Sequence, residues 1–167
     1  LAFDVFPLHL LTADRAGEPI SSTIIRQLVA EGDVAAASRA LARPHRLEGT
    51  VVSGDGRGTD LGFPTANLSP TPFPAIPADG VYAGRIVMDP YGDAEVHSAA
   101  ISIGTNPTFD DVVDRRIEAW AYDAGDLDLY DKPLAIDFAA KLRDQVRFRS
   151  EQELTDAVAT DVAAIRQ

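Results

Sequence analysis

The rhythm of apolar positions changes near residue 45. Before it, Ile24, Ile25, Leu28 and Val29 recur at helical spacing behind Ser21 and Ser22, which predicts a helix from about Thr23 to Ala30. Gly32 ends that helix, Asp33 can cap a second one over VAAASRALA, and Pro44 forbids its continuation. From Arg46 onward, short alternating runs are separated by Gly, Pro and Asp clusters, the spacing of an antiparallel sandwich or barrel. The candidate strands are Leu47 to Val52, Gly80 to Met88, Ala94 to Ile103, Arg115 to Tyr122 and Pro133 to Ala139. Asp89-Pro90-Tyr91-Gly92-Asp93 reads as the turn of a hairpin. Ser150 to Glu153 forms a capping box ahead of Leu154, Val158, Val162 and Ile165, so the last segment is expected to lie on the barrel as a closing helix.

Composition narrows the class. The 167 residues suffice for one full domain and a small appendage, and 46% hydrophobic with 25% charged residues is a globular profile. A formal charge of -11 argues against a broad nucleic-acid footprint, so a phosphate ligand would have to be gripped locally by backbone amides, a few arginines or a metal ion. With no cysteine there is no disulfide framework and no thiolate site, which permits a cytoplasmic home. The opening LAFDVFPLHLL lacks a basic start, is broken by Asp4 and Pro7, and is too short to span a bilayer, so neither a targeting segment nor a membrane partner is expected. A start at Leu1 suggests a piece of something longer.

The stretch most suited to chemistry runs from Gly54 to Asn67. Four glycines in nine residues (Gly54, Gly56, Gly58 and Gly62) allow several backbone amides to approach one anion, and Arg57 adds a positive charge. It is neither a Walker A loop nor a Rossmann fingerprint, and by itself it would equally serve as a flexible hairpin connection. Thr65 and Asn67 place a hydroxyl and an amide carbonyl two residues apart, on one side of an extended chain. Both are hard oxygen donors of the kind Mg²⁺ takes together with substrate phosphates, although Thr and Asn after proline also satisfy turn backbone. In Arg115 to Asp123, alternation puts Glu118, Trp120 and Tyr122 on the face opposite Ile117, Ala119 and Ala121. A strand glutamate is ordinarily a solvated one.

The run GRGTDLGFPTAN (residues 56–67) and the run SIGTNPTF (residues 102–109) together resemble the signature loops of the riboflavin kinase family, and the similarity extends from about Arg46 to the C-terminus. The resemblance implies a mainly β fold, a six-stranded antiparallel Greek-key β-barrel with a C-terminal helix, to which the N-terminal helices would be an appendage. It implies transfer of the ATP γ-phosphate to the ribityl 5′-hydroxyl of riboflavin, giving FMN and ADP. By the same resemblance Thr65 and Asn67 would hold Mg²⁺ and the ATP phosphates. The run Gly54, Gly56, Arg57, Gly58 and Thr59 would flap over the phosphates, and Asn106 would lie in a second loop over nucleotide and flavin. Glu118 occupies the place of the catalytic glutamate, with Asp110, Asp111 and Asp123 as weaker rivals. Arg143 and Phe148, in LRDQVRF, match a flavin-side arginine and aromatic, though a surface ion pair and a core ring fit them as well.

Finally, ISSTIIR (residues 20–26) resembles the end of the adenylyltransferase module that precedes the kinase in bacterial FAD synthetases. His9, His45 and His97 do not make that module's HxGH pair, so residues 1–45 are expected to be its remnant and linker, and 46–167 the kinase domain. The rival readings are an FMN adenylyltransferase fragment and a non-catalytic flavin- or nucleotide-binding barrel. Small molecules are the expected partners, and oligomeric state is left open.

Overall fold

Side-chain caps open the helices where the pattern placed them. In the computed structural model, which describes residues 19–54, 62–72, 74–105, 115–124 and 127–166, helix α1 spans Ser22–Glu31 and helix α2 spans Val34–Leu41. The Ser21 hydroxyl accepts from the Ile24 amide at 3.3 Å and the Asp33 carboxylate from the Ala36 amide at 2.9 Å, satisfying amides that have no partner inside the first turn. Gly32, at φ 83°, turns the chain out of α1 in the left-handed region.

Six strands follow: β1 (His45–Val52), β2 (Ala66–Pro70), β3 (Gly80–Met88), β4 (Glu95–Thr105), β5 (Arg115–Ala121) and β6 (Pro133–Arg143). They close into an antiparallel barrel in the order β1-β2-β5-β4-β3-β6, a Greek-key path in which β2 reaches across to β5 and β6 returns between β3 and β1. The predicted barrel is therefore borne out, and every predicted strand is present, Gly80–Met88 with the predicted bounds and the other four with shifted ends. β2 was not among the predicted strands. Its five residues end in proline between a glycine-rich and a proline-rich stretch, and β1 and β5 hold it extended from either side. β6 runs on to Arg143 past register shifts against β3, so Leu142 and Arg143 belong to the sheet.

A closed six-stranded barrel has no pore, because its interior is filled by alternate side chains. Leu47, Val51, Leu68, Tyr82, Ile86, Ile101, Ile103, Ile117, Ile136 and Phe138 fill it, with Tyr82 and Phe138 edge-to-face at 5.4 Å. Val34 at the start of α2 is fully buried in this same cluster, so the helical hairpin stoppers the barrel. Leu28, Val29 and Ala37 pack the two helices together above it. His45 ties the stopper down: its Nε2 is 2.8 Å from the Ala75 carbonyl, and its backbone amide donates to Ser38 Oγ at 3.1 Å.

Helix α3 (Glu151–Ile165) begins at Ser150, whose hydroxyl accepts from the Glu153 amide at 3.2 Å. The Glu153 carboxylate accepts from the Arg149 amide at 2.8 Å, one residue before the return partner of an ordinary capping box. Asp161 of α3, only 6% exposed, receives Arg143 in a forked ion pair at 3.0 and 2.8 Å. Among the described residues no helix is long and apolar enough to cross a membrane.

Candidate active site

The polar residues of interest stand on the outside of the barrel, because interior positions on their strands are taken by apolar ones. On β5, Ile117 and Ala119 point inward at 2% and 1% exposure, which turns Glu118 outward, where it is half-buried. On β2, Ala66 and Leu68 point inward and Asn67 outward; on β4, Ile101 and Ile103 point inward and Ser102 outward.

Register then aligns them. Asn67 is the β2 residue directly opposite Glu118, and Ser102 is the β4 residue directly opposite it on the other side. Opposed residues of an antiparallel pair keep their Cβ atoms about 5 Å apart, so Asn67, Glu118 and Ser102 form one polar rung. The rung continues through Val52 opposite Asn67, Val81 opposite Ser102, and Arg143 opposite Val81. Two of the sequence-predicted residues thus become direct neighbours of each other, and Arg143 joins their row by way of β4 and β3.

Thr65 immediately precedes β2 and is half-buried. Gly54, just past the end of β1, lies against the Asn67 amide, and a Cβ at that position would overlap it. The glycine thus leaves the space in which the Asn67 side chain sits. A hydroxyl and an amide carbonyl close to Gly54 are a donor set that fits Mg²⁺. Among the described residues no cluster of three His, Asp or Glu side chains offers an alternative. Gly56, Arg57, Gly58, Thr59, Asn106, Asp110 and Asp111 lie outside the described residues. Asp123 is within them but stands past the end of β5, where it accepts from the Ser98 amide at 3.3 Å and is 3.7 Å from His97.

Aromatic rings flank the rung. Trp120 shares the outer face of β5 with Glu118, and Phe63 packs its edge against it at 4.9 Å, leaving an apolar wall beside the carboxylate. The other boundary is residues 144–148, between β6 and α3. Arg143 anchors that segment through Asp161, its NH1 donates to the Asp144 carbonyl at 3.2 Å, and its guanidinium lies 5.6 Å from the Phe148 ring. Arg143 and Phe148 therefore hold the segment together by an ion pair and a cation–π contact. Gln145 reaches from the segment back to β4, where its Nε2 donates to Ser102 Oγ at 2.7 Å and to the Ile103 carbonyl at 3.1 Å. Neither Ser102 nor Gln145 was singled out from the sequence. Ser102 opens the second signature loop, and only the pairing of β4 with β5 reveals its position opposite Glu118.

The segment 20–26 proves to be the capped start of α1, with the Ser21 hydroxyl engaged by its own helix.

Comparison with known proteins places the chain in a family. The chain matches the riboflavin kinase (flavokinase) family over residues 41–167. It is 34% identical over 151 residues to a bifunctional riboflavin kinase/FMN adenylyltransferase of Escherichia coli K12, covering 90% of this chain and 46% of the relative. A protein of the same description from Bacillus subtilis is 32% identical, with 85% of this chain and 44% of the relative covered. The chain thus spans about half the length of the curated relatives it matches. Among solved structures, one described as a macrolide-efflux protein from Streptococcus pneumoniae superposes with a TM-score of 0.84 at 33% identity, covering 95% of this chain and 49% of that one. The riboflavin kinase of Trypanosoma brucei superposes with a TM-score of 0.50 at 27% identity, covering 72% and 74%. With the barrel and the family match both in place, this chain belongs to the riboflavin kinase family.

Proposed function

We propose that this chain is a riboflavin kinase, transferring the γ-phosphoryl group of ATP to the ribityl 5′-hydroxyl of riboflavin to give FMN and ADP. The observation that carries the reading is the rung itself: a half-buried carboxylate directly opposite an amide that follows a threonine hydroxyl by two residues. Phosphoryl transfer asks a protein for little covalent chemistry. It needs the phosphates gripped, their charge offset, and the attacking hydroxyl oriented in line.

The roles follow from position. Thr65 and Asn67 would hold Mg²⁺, which when bound neutralises charge on the β- and γ-phosphates. Gly54 opens the glycine-rich run that would cover the phosphates, and its lack of a side chain lets Asn67 sit beneath it. Glu118 accepts the hydroxyl proton as the ribityl oxygen forms its bond to the γ-phosphorus, while the bond from that phosphorus to the bridging oxygen breaks and ADP leaves with the electron pair. Being half-buried in the rung, Glu118 is shielded from bulk water yet open to a substrate lying along the outer face. The Trp120–Phe63 wall offers the apolar surface that a flavin ring needs beside that carboxylate. The Arg143–Asp161 pair keeps the opposite wall in place, with Phe148 packed on it.

The test is to incubate the chain with riboflavin, ATP and Mg²⁺ and separate the flavins by chromatography. FMN is expected, and FMN supplied with ATP is expected to give no FAD. Glu118→Ala should lower turnover by about 10² to 10⁴, the usual worth of a general base, with nucleotide affinity largely retained. No FMN from the wild-type chain would end the kinase reading, and undiminished turnover in the variant would remove Glu118 from it.

A further inference from the structure

Ser102 has no part in the chemistry above, yet it stands beside the reacting carboxylate. It is half-buried on the outer face of β4, directly opposite Glu118, and the Cβ spacing of about 5 Å for such a pair is one that a hydroxyl and a carboxylate can bridge. Its hydroxyl is not left to rotate, because Gln145 Nε2 donates to it at 2.7 Å. Three features bring that amide there. The Arg143–Asp161 ion pair fixes the start of the segment, and the Ile103 carbonyl takes a second hydrogen bond from the same nitrogen at 3.1 Å. Gly104 supplies the floor: a Cβ there would lie 3.2 to 3.3 Å from the Gln145 amide and Cγ, tighter than an ordinary contact, so the bare glycine lets the glutamine lie close on β4.

A serine oxygen that accepts from an amide still has its own proton to donate, now in a restricted set of directions. We propose that Ser102, braced by Gln145, is a positioning residue for Glu118. Its O–H donates to one carboxylate oxygen, fixes the rotamer of the side chain and leaves the other oxygen to take the proton of the ribityl hydroxyl. The segment that walls the flavin side is thereby coupled to the base, through Gln145 and Ser102. This inference rests on the kinase reading, and its test keeps the two apart.

The experiment is steady-state FMN formation by the full chain as wild type, Glu118→Ala, Ser102→Ala, Ser102→Thr and the Ser102→Ala/Glu118→Ala double variant, with thermal melting of each. Ser102→Ala should lower kcat about tenfold, the scale of one hydrogen bond to a charged group, with KM for riboflavin and ATP changed by less than about twofold. Ser102→Thr, which keeps the hydroxyl, should recover most of that loss. On the Glu118→Ala background Ser102→Ala should cost nothing more, because the group it positions is gone. Unchanged kcat in Ser102→Ala, a loss falling on KM, failure of Ser102→Thr to recover turnover, or a full multiplicative loss in the double variant would each overturn the proposal. A wild-type chain without kinase activity, or undiminished turnover in Glu118→Ala, would remove the underlying reading and this proposal with it.

Discussion

Gly54→Ala should separate nucleotide binding from folding. A Cβ placed at residue 54 would stand 2.7 Å from Asn67 Cγ and 3.1 Å from its Oδ1, well inside the ordinary carbon contact of about 3.5 to 4 Å. The Asn67 side chain can swing away, but it then leaves the rung and no longer presents its oxygen beside Thr65. Disturbing the support of a metal ligand weakens metal affinity by about 10- to 100-fold, or about 1.4 to 2.8 kcal/mol. The fold should not suffer. Among the described glycines only Gly32 and Gly62 have positive φ, so alanine at 54 meets no backbone strain, and its stiffer unfolded chain favours folding by about 0.4 to 1 kcal/mol. Calorimetric titration with MgATP, run beside urea unfolding, should therefore show weaker binding in a protein at least as stable as wild type. Asn67→Ala should weaken binding similarly, and adding Gly54→Ala to it should do nothing further. MgATP affinity unchanged in Gly54→Ala would refute the claim that the Asn67 amide grips the nucleotide's cation.

Asp161→Ala strands the Arg143 guanidinium, and breaking such a pair costs about 3 to 5 kcal/mol when both partners are buried; with the Arg143 side chain 26% exposed, about 2 to 3 kcal/mol is expected by urea unfolding. Arg143→Lys, with Asp161 kept, should also lose stability, because an ammonium cannot fork onto the carboxylate as Arg143 does. Val34→Ala should cost about 2 kcal/mol, the loss of two buried carbons from the barrel core, and a near-zero cost would show the helical hairpin to be detachable. Burial pushes the His45 imidazole below its ordinary value, an effect partly opposed by its bond to the Ala75 carbonyl and reinforced by Arg43. As pH falls through about 6.5 the unfolded chain takes up this proton before the folded one, so His45 costs stability below that point and none well above it. His45→Gln should therefore flatten the decline in unfolding free energy between about pH 7.5 and 5.5, and an unchanged slope would exclude His45 as its source.

Much of this protein was written in local patterns. Ser21, Asp33, Gly32 and Ser150 mark helix ends because capping is settled within a few residues, and the strand run around Arg115 shows its period of two directly. The resemblance to a known family, carried by short motifs, is enough to name the candidate site residues. Local pattern could not reveal β2, which is extended because β1 and β5 clasp it, nor the burial of Val34 inside the barrel. It could not say that Arg143 would be spent on Asp161, eighteen residues along the chain on another element. Above all it could not place Ser102 and Asn67 on either side of Glu118. Which residues face one another depends on the register of strands distant in sequence, and a slip of one residue would have turned every one of them to the opposite face.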